Sequence, residues 1–193
     1  MPVPAATKLA ALTTTLVLTA CGAAQALPAG HDTASTVSTR RTADVQIDES
    51  APVITRASIL VHAPLSVIWK VQTDVENWPA WQPEVDVVTK ETPGRLRPGS
   101  VFHWSTEGLD ITSTVRQVEH GKRLAWGGPA QGITAVHVWT FTRTGNGVLV
   151  HTEESWTGAP VVAGQAALQA ALDNSLHNWL TNLKREAEAR AAR

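Results

Sequence analysis

The sequence predicts an α+β domain in which a curved, seven-stranded antiparallel sheet wraps one long C-terminal helix. Three observations predict it. Six short β-type runs follow one another between residues 84 and 156, parted by Gly, Pro and Asn turn residues with no helical stretch among them, which points to antiparallel pairing. A seventh run, Val53 to His62, precedes them. Beyond Val161, leucines recur at steps of three and four, the spacing of one helix face.

In Val53 to His62, Ile54, Ala57, Ile59 and Val61 mostly alternate with Thr, Ser and His, as in a half-buried strand. Ala63-Pro64 stops the strand, and Pro suits the first turn of a helix. That helix carries apolar residues at Leu65, Ile68, Trp69, Val71 and Val75. A second short turn from Glu76 to Trp81 is broken by Pro79 and Pro83. Strands are then expected at Glu84–Glu91, Ser100–Thr106, Ile111–Val118, Arg123–Gly127, Ile133–Arg143 and Val148–Trp156. Asn146-Gly147, between the last two, is a strong hairpin signal. Gly127-Gly128 and Gly145-x-Gly147 read as turns, because neither opens a helix. The last helix runs from Val161 to the end, with Leu168, Leu172, Leu176, Trp179, Leu180 and Leu183 along one face. Its charged tail, Lys184 to Arg193, is expected to be solvated and to fray. A twisted sheet of this size curves, and the final helix lies in its concave face like a rod in a grip. A cavity is expected where sheet and helix diverge.

Composition narrows the function. With 193 residues, 43% hydrophobic and 17% charged, the chain holds one globular domain plus a tail. Its formal net charge of −1 argues against nucleic acid as a partner, which would need clustered Lys and Arg. One Cys excludes an intramolecular disulfide and a Cys-rich zinc site. The seven His include no pair at metal-ligand spacing, so no metal site is expected. Neither a P-loop, a dinucleotide fingerprint nor a Gly-x-Ser-x-Gly elbow occurs, and no cofactor is expected.

Residues 1–20 read as an export signal: Lys8, then an apolar run from Leu9 to Ala20 that is short for a membrane span. The run ends Leu18-Thr19-Ala20-Cys21-Gly22, which resembles the lipobox of bacterial lipoproteins. That resemblance implies cleavage before Cys21, lipid on its sulfur and attachment to the cell membrane. The alternative is a secreted protein cut after Ala24-Gln25-Ala26. Losing the leader removes Lys8 and shifts the net charge from −1 to −2. Residues 21–45 are rich in Ala, Thr and Ser without apolar periodicity, as in a flexible tether. The folded domain is expected over residues 46–190.

Eight Trp, two Phe and no Tyr make the aromatic set lopsided. Trp69 reads as a core anchor, and Trp78 and Trp81 as a clamp on the corner around Pro79. Side chains two apart on a strand share a face, so Phe102 pairs with Trp104, and Trp139 with Phe141, with His137 in line. These aromatics and Trp126 are expected to face the helix. Glu153 and Glu154 are adjacent on a strand, so one points inward. Pairing Arg143 with Val148 would set Glu154 opposite His137, whereas a one-residue slip would swap the faces. Arg116 is a second possible partner for the inward acid. A solvated edge pair is the plain alternative. His177 falls between the apolar stripe and the polar flank of the last helix.

An ordered set of motifs carries a resemblance: Ala63-Pro64 before Val67-Ile68-Trp69, Asn77-Trp78-Pro79-Ala80-Trp81, Arg97-Pro98-Gly99-Ser100 leading to Phe102 and Trp104, Arg123-Leu124-Ala125-Trp126, Val136 to Phe141, and Glu153-Glu154-Ser155-Trp156. Over residues 50–190 the chain resembles the SRPBCC superfamily of START-like helix-grip proteins, in its polyketide cyclase/dehydrase and lipid-transport branch. The resemblance implies a cavity for a lipid or other hydrophobic small molecule between the sheet and the last helix. Candidate lining residues are Phe102, Trp104, Trp126, Trp139, Phe141, Leu172, Leu176 and Trp179. Three functions fit. The protein is a membrane-anchored binder or carrier; or a cyclase/dehydrase-type enzyme moving protons with His137 and Glu154; or an envelope interaction module whose core is filled. The first is preferred, since nothing in the sequence forces a catalytic group.

Overall fold

Alternation of apolar and polar residues decides which face of each strand is buried, and one register carries that choice across seven strands. The computed structural model describes residues 43–193. In order they form β1 (Val53–Val61), α1 (Leu65–Thr73), a 3-10 turn (Val75–Ala80), β2 (Val85–Lys90), β3 (Val101–Thr106), β4 (Leu109–Glu119), β5 (Arg123–Ala130), β6 (Ile133–Thr144), β7 (Gly147–Thr157), α2 (Ala159–Ala163) and α3 (Gln165–Ala191). The signal peptide, Cys21 and residues 21–42 of the expected tether lie outside the described residues.

All neighbouring strands are antiparallel, in the order β1-β7-β6-β5-β4-β3-β2. The first two strands therefore sit on opposite edges. Only α1 and the 3-10 turn between them can carry the chain across the concave face. The Asn146-Gly147 hairpin sets Arg143 opposite Val148 and hence His137 opposite Glu154. Successive inner-face rows then run Val53–Trp156–Ala135, Thr55–Glu154–His137–Trp126 and Ala57–Thr152–Trp139–Leu124.

The concave face holds two apolar clusters. The larger joins α1, the 3-10 turn, the aromatic residues of β3, β5 and β6, and Trp179, Leu180, Leu183 and Ala187 of α3. The smaller joins Val53, Val161, Leu172 and Leu176, with Ile133, Trp156 and Leu168 at its edge. The polar row Thr55–Glu154–His137 lies between them. On the convex face, Val45 and Ile47 pack on Ala125, Val138, Ile54 and Val136. Their backbone is tied down as well: Val45 N–H donates to Gln117 Oε1 at 2.8 Å, and Arg123 Nη2 donates to the Val45 carbonyl.

Three local expectations are corrected. The C-terminal helix is not continuous from Val161: Gly164, at φ −118° and ψ 27°, separates α2 from α3. Glycine holds helical geometry poorly, so the chain turns there. Nor is the tail solvated throughout: Ala187 is fully buried and Lys184 Nζ donates to the Leu60 carbonyl at 2.7 Å. Finally, Gly127-Gly128 are not a turn but part of β5. A methyl group at 127 would land on the Ala135 carbonyl oxygen, and one at 128 on that of Thr112. Close approach of both neighbouring strands, rather than backbone reversal, is what requires glycine here.

Candidate functional site

The middle of the concave face carries a buried histidine–glutamate pair. His137 is 3% exposed, and its Nδ1 lies 3.0 Å from Glu154 Oε2. The second carboxylate oxygen accepts from Trp156 Nε1 at 2.7 Å, two residues along the same strand. On the other side of the ring, His137 Nε2 lies 2.7 Å from Thr152 Oγ1. Each ring nitrogen and each carboxylate oxygen thus has a hydrogen-bonding partner, and the Thr152 hydroxyl also lies 3.4 Å from the Val138 carbonyl. Burying a carboxylate without such partners would be costly. Glu154, whose side chain keeps 12% exposure, is the member nearest solvent.

Glu153, one residue earlier, points to the convex face and bonds Arg56 at 3.3 Å. Arg116 is exposed on that same face and does not reach the pair. The next position in the polar row, Thr55, donates to Asp173 Oδ1 of α3 at 2.5 Å. Gln169 Nε2 bonds both Asp173 Oδ1 at 2.9 Å and the Ile54 carbonyl at 3.0 Å, tying α3 to the edge of β1. His177 is exposed and caps its own helix turn through the Asp173 carbonyl.

An aromatic cage covers the pair. Trp126 and Trp139 lie 4.8 and 5.1 Å from the His137 ring centre, and Trp179 of α3 lies 6.3 Å away. Trp78 is the hub, with Phe102, Trp104, Trp126 and Trp179 all between 4.9 and 5.9 Å. Most of these contacts are edge-to-face, the geometry that the ring quadrupole favours. Of the expected lining residues, Phe102, Trp104, Trp126, Trp139 and Trp179 therefore come together. Phe141 stands away from them against Trp69, and Leu172 and Leu176 belong to the smaller cluster.

Around Trp179 the polar accounting does not close. Trp179 Nε1 donates to Gln72 Oε1 at 3.3 Å. Yet Gln72 Nε2, Trp81 Nε1 and Trp139 Nε1 are buried donors with no partner, as are Gln82 Nε2 and Arg123 Nε elsewhere among the described residues. The Trp81 and Trp139 rings lie 6.3 and 6.2 Å from Trp179. Buried donors are nearly always paired, and each one left unpaired costs about 1–3 kcal/mol. The Gln72, Trp81 and Trp139 donors all belong to residues packed on the Trp179 ring or hydrogen-bonded to it.

Sequence reasoning missed Thr55, Thr152 and Gln72, uncharged polar residues whose types give no signal of burial, and half-buried Gln169 and Asp173, which read as the polar flank of the last helix. Trp78 was expected at a corner. It instead reaches inward because the 3-10 turn aims its indole N–H at the Gln72 carbonyl, 3.0 Å away.

The profile of the polyketide cyclase/dehydrase and lipid transport family matches residues 52–188. The chain belongs to this family. Solved structures with the same fold include a hypothetical protein of Helicobacter pylori, at 19% identity and a TM-score of 0.66, covering 76% of this chain and 98% of that one. The aromatase/cyclase Zhui from Streptomyces sp. R1128 shares 16% identity at a TM-score of 0.60, covering 71% and 94%. A START superfamily protein from Mycobacterium smegmatis shares 14% at 0.54, covering 72% and 97%. At these identities the likeness concerns the fold. Among curated proteins none matches the sequence.

Proposed function

We propose that this family member binds an apolar small molecule without transforming it, and receives one acceptor atom of that molecule at the donors around Trp179. The observation that carries this reading is the trio of unpartnered buried donors, Gln72 Nε2, Trp81 Nε1 and Trp139 Nε1, set in an indole cage. A ligand carbonyl, ether or hydroxyl oxygen would supply what they lack, and the surrounding rings would hold its apolar body. Half-buried Trp104, beside Trp179 at 5.7 Å, is the ring whose movement would admit it.

The enzymatic alternative has one observation in its favour: His137 and Glu154 share a face and stand within hydrogen-bond reach. Against it, both imidazole nitrogens and both carboxylate oxygens are already engaged inside the protein. A substrate would have to displace one of these partners or share a carboxylate oxygen of Glu154, and the pair's role in this reading is to hold β6 and β7 in register beneath the cage.

Titration with Nile red, a neutral apolar dye, tests the binding. One saturable site is expected, weakened about tenfold by Trp139→Phe, which keeps an aromatic ring and removes the donor. Partition without saturation, or equal binding by the variant, would contradict it. The lipobox-like Leu18 to Cys21 supports a further part of the proposal, that the domain is held at the outer face of a bacterial membrane by lipid on Cys21. Labelling with radioactive palmitate should mark the chain and fail with Cys21→Ala.

A further inference from the structure

Away from the cage, the structure holds a cleft of about 610 Å³ between α1, the β2–β3 loop and the β4–β5 turn. We propose that this cleft is a second binding site, for a small amphipathic carboxylate, that is, an aromatic or short aliphatic acid. The proposal does not depend on what occupies the cage.

The chemistry follows from the two sides of the cleft. One side is apolar: Trp69, Leu96 and Val118 line it, and Trp69 is held from behind by Phe141, edge-on at 5.4 Å. His120 extends this wall, its ring 5.3 Å from Trp69. The rim is cationic, with Lys70, Lys90 and Arg95. Lys90 is committed, since it pairs with Glu76 at 3.0 Å and donates to the Gly94 carbonyl at 2.9 Å. Lys70 and Arg95 take part in no ion pair among the described residues. Asp74 is the one carboxylate on the lining, and Asn77 Nδ2 already donates to its Oδ2 at 2.8 Å. A ligand with a ring against Trp69 and an anion facing Lys70 and Arg95 matches both sides. Arg95 suits a carboxylate especially, because its planar guanidinium can donate two parallel hydrogen bonds. A neutral apolar molecule would leave the rim unused, and a simple inorganic anion would leave the wall unused.

The sequence explains why the site is open. Thr92-Pro93-Gly94-Arg95 turns away from the sheet with Gly94 at φ +87°. This conformation places Arg95 on the rim while Leu96 is buried beneath it.

Calorimetric titration with 1-naphthoate and with its uncharged counterpart, 1-naphthalenemethanol, tests the proposal. One saturable naphthoate site is expected, with the alcohol weaker by about tenfold, and naphthoate affinity falling as salt rises. The double variant Lys70→Gln/Arg95→Gln changes exposed side chains only, and is expected to lower naphthoate affinity about tenfold while leaving Nile red binding as it was. Trp139→Phe is expected to do the reverse, which separates failure of this site from failure of the cage. Equal affinity for acid and alcohol, unchanged naphthoate binding by the double variant, or no saturable naphthoate site would overturn it.

Discussion

His137 Nδ1 lies 3.0 Å from Glu154 Oε2 because the two residues face each other directly across β6 and β7. Their bond fastens the polar row that parts the two apolar clusters of the concave face. Removing either partner leaves the other with one side-chain partner, Trp156 for Glu154 and Thr152 for His137.

His137→Ala leaves the Glu154 carboxylate with Trp156 as its only donor and opens a void under the cage. Removing one member of a buried pair costs about 3–5 kcal/mol, and the partial exposure of Glu154 lowers that to about 2–4 kcal/mol. Thr152→Val preserves shape but removes the partner of Nε2, for a loss of about 1–2 kcal/mol. Urea unfolding of the three proteins checks the ranking. Thr152→Val more damaging than His137→Ala would contradict the assignment.

Gly128→Ala should be among the most damaging changes in the sheet, although it adds one methyl group. The new Cβ meets the Thr112 carbonyl oxygen on β4, and Thr112 is held opposite His103 in the β3–β4 ladder. A loss of at least about 2 kcal/mol is expected in thermal or urea unfolding. Gly145→Ala is the control, since a Cβ there meets nothing within 4 Å.

The end of α3 introduces a pH dependence. Glu188 is held below the ordinary glutamate value, first by its hydrogen bond from Lys184 and then by the backbone N–H of His62. A lowered folded-state value means stability that is present above the unfolded-state value and lost as pH falls through the folded one. Wild type should exceed Glu188→Gln in stability at neutral pH, and the gap should close in acid below the usual glutamate range. A gap that persists there would remove the ion pair as its cause.

Asn182 on α3 donates to Gln82 Oε1 at 2.5 Å in the core, linking α3 to the segment after the 3-10 turn. Asn182→Ala leaves the buried Gln82 amide without any side-chain partner. The expected cost is about 1–3 kcal/mol, with loosened packing around Trp81 visible as a change in near-ultraviolet circular dichroism. An unchanged spectrum and stability would show that the bond is dispensable.

Much of this arrangement was legible in the residues. Period-two alternation grouped Phe102 with Trp104, and His137 with Trp139 and Phe141, each set facing the helix, and Asn146-Gly147 set the register that pairs His137 with Glu154. The rest depends on tertiary geometry that local pattern does not encode. Register shifts at Val85/Val87 and Val115/Gln117 change which residues face inward. Gly127-Gly128 looks like a turn until two neighbouring strands are seen to press on it. Asp173 and Gln169 look like the solvated flank of an amphipathic helix, and become structural only because the edge of β1 lies beside them. The expected cavity also differs: beneath α3 the space around His137 is occupied by rings, while the open cleft lies against α1.

Native mass spectrometry of the gently purified protein tests the central claim most directly. The account predicts one apolar small molecule bound per chain, released by organic extraction, with Trp139→Phe carrying markedly less of it. A bare mass before and after exposure to fatty acids, sterols and neutral aromatic compounds would contradict it, and would leave the indole cage as a filled core.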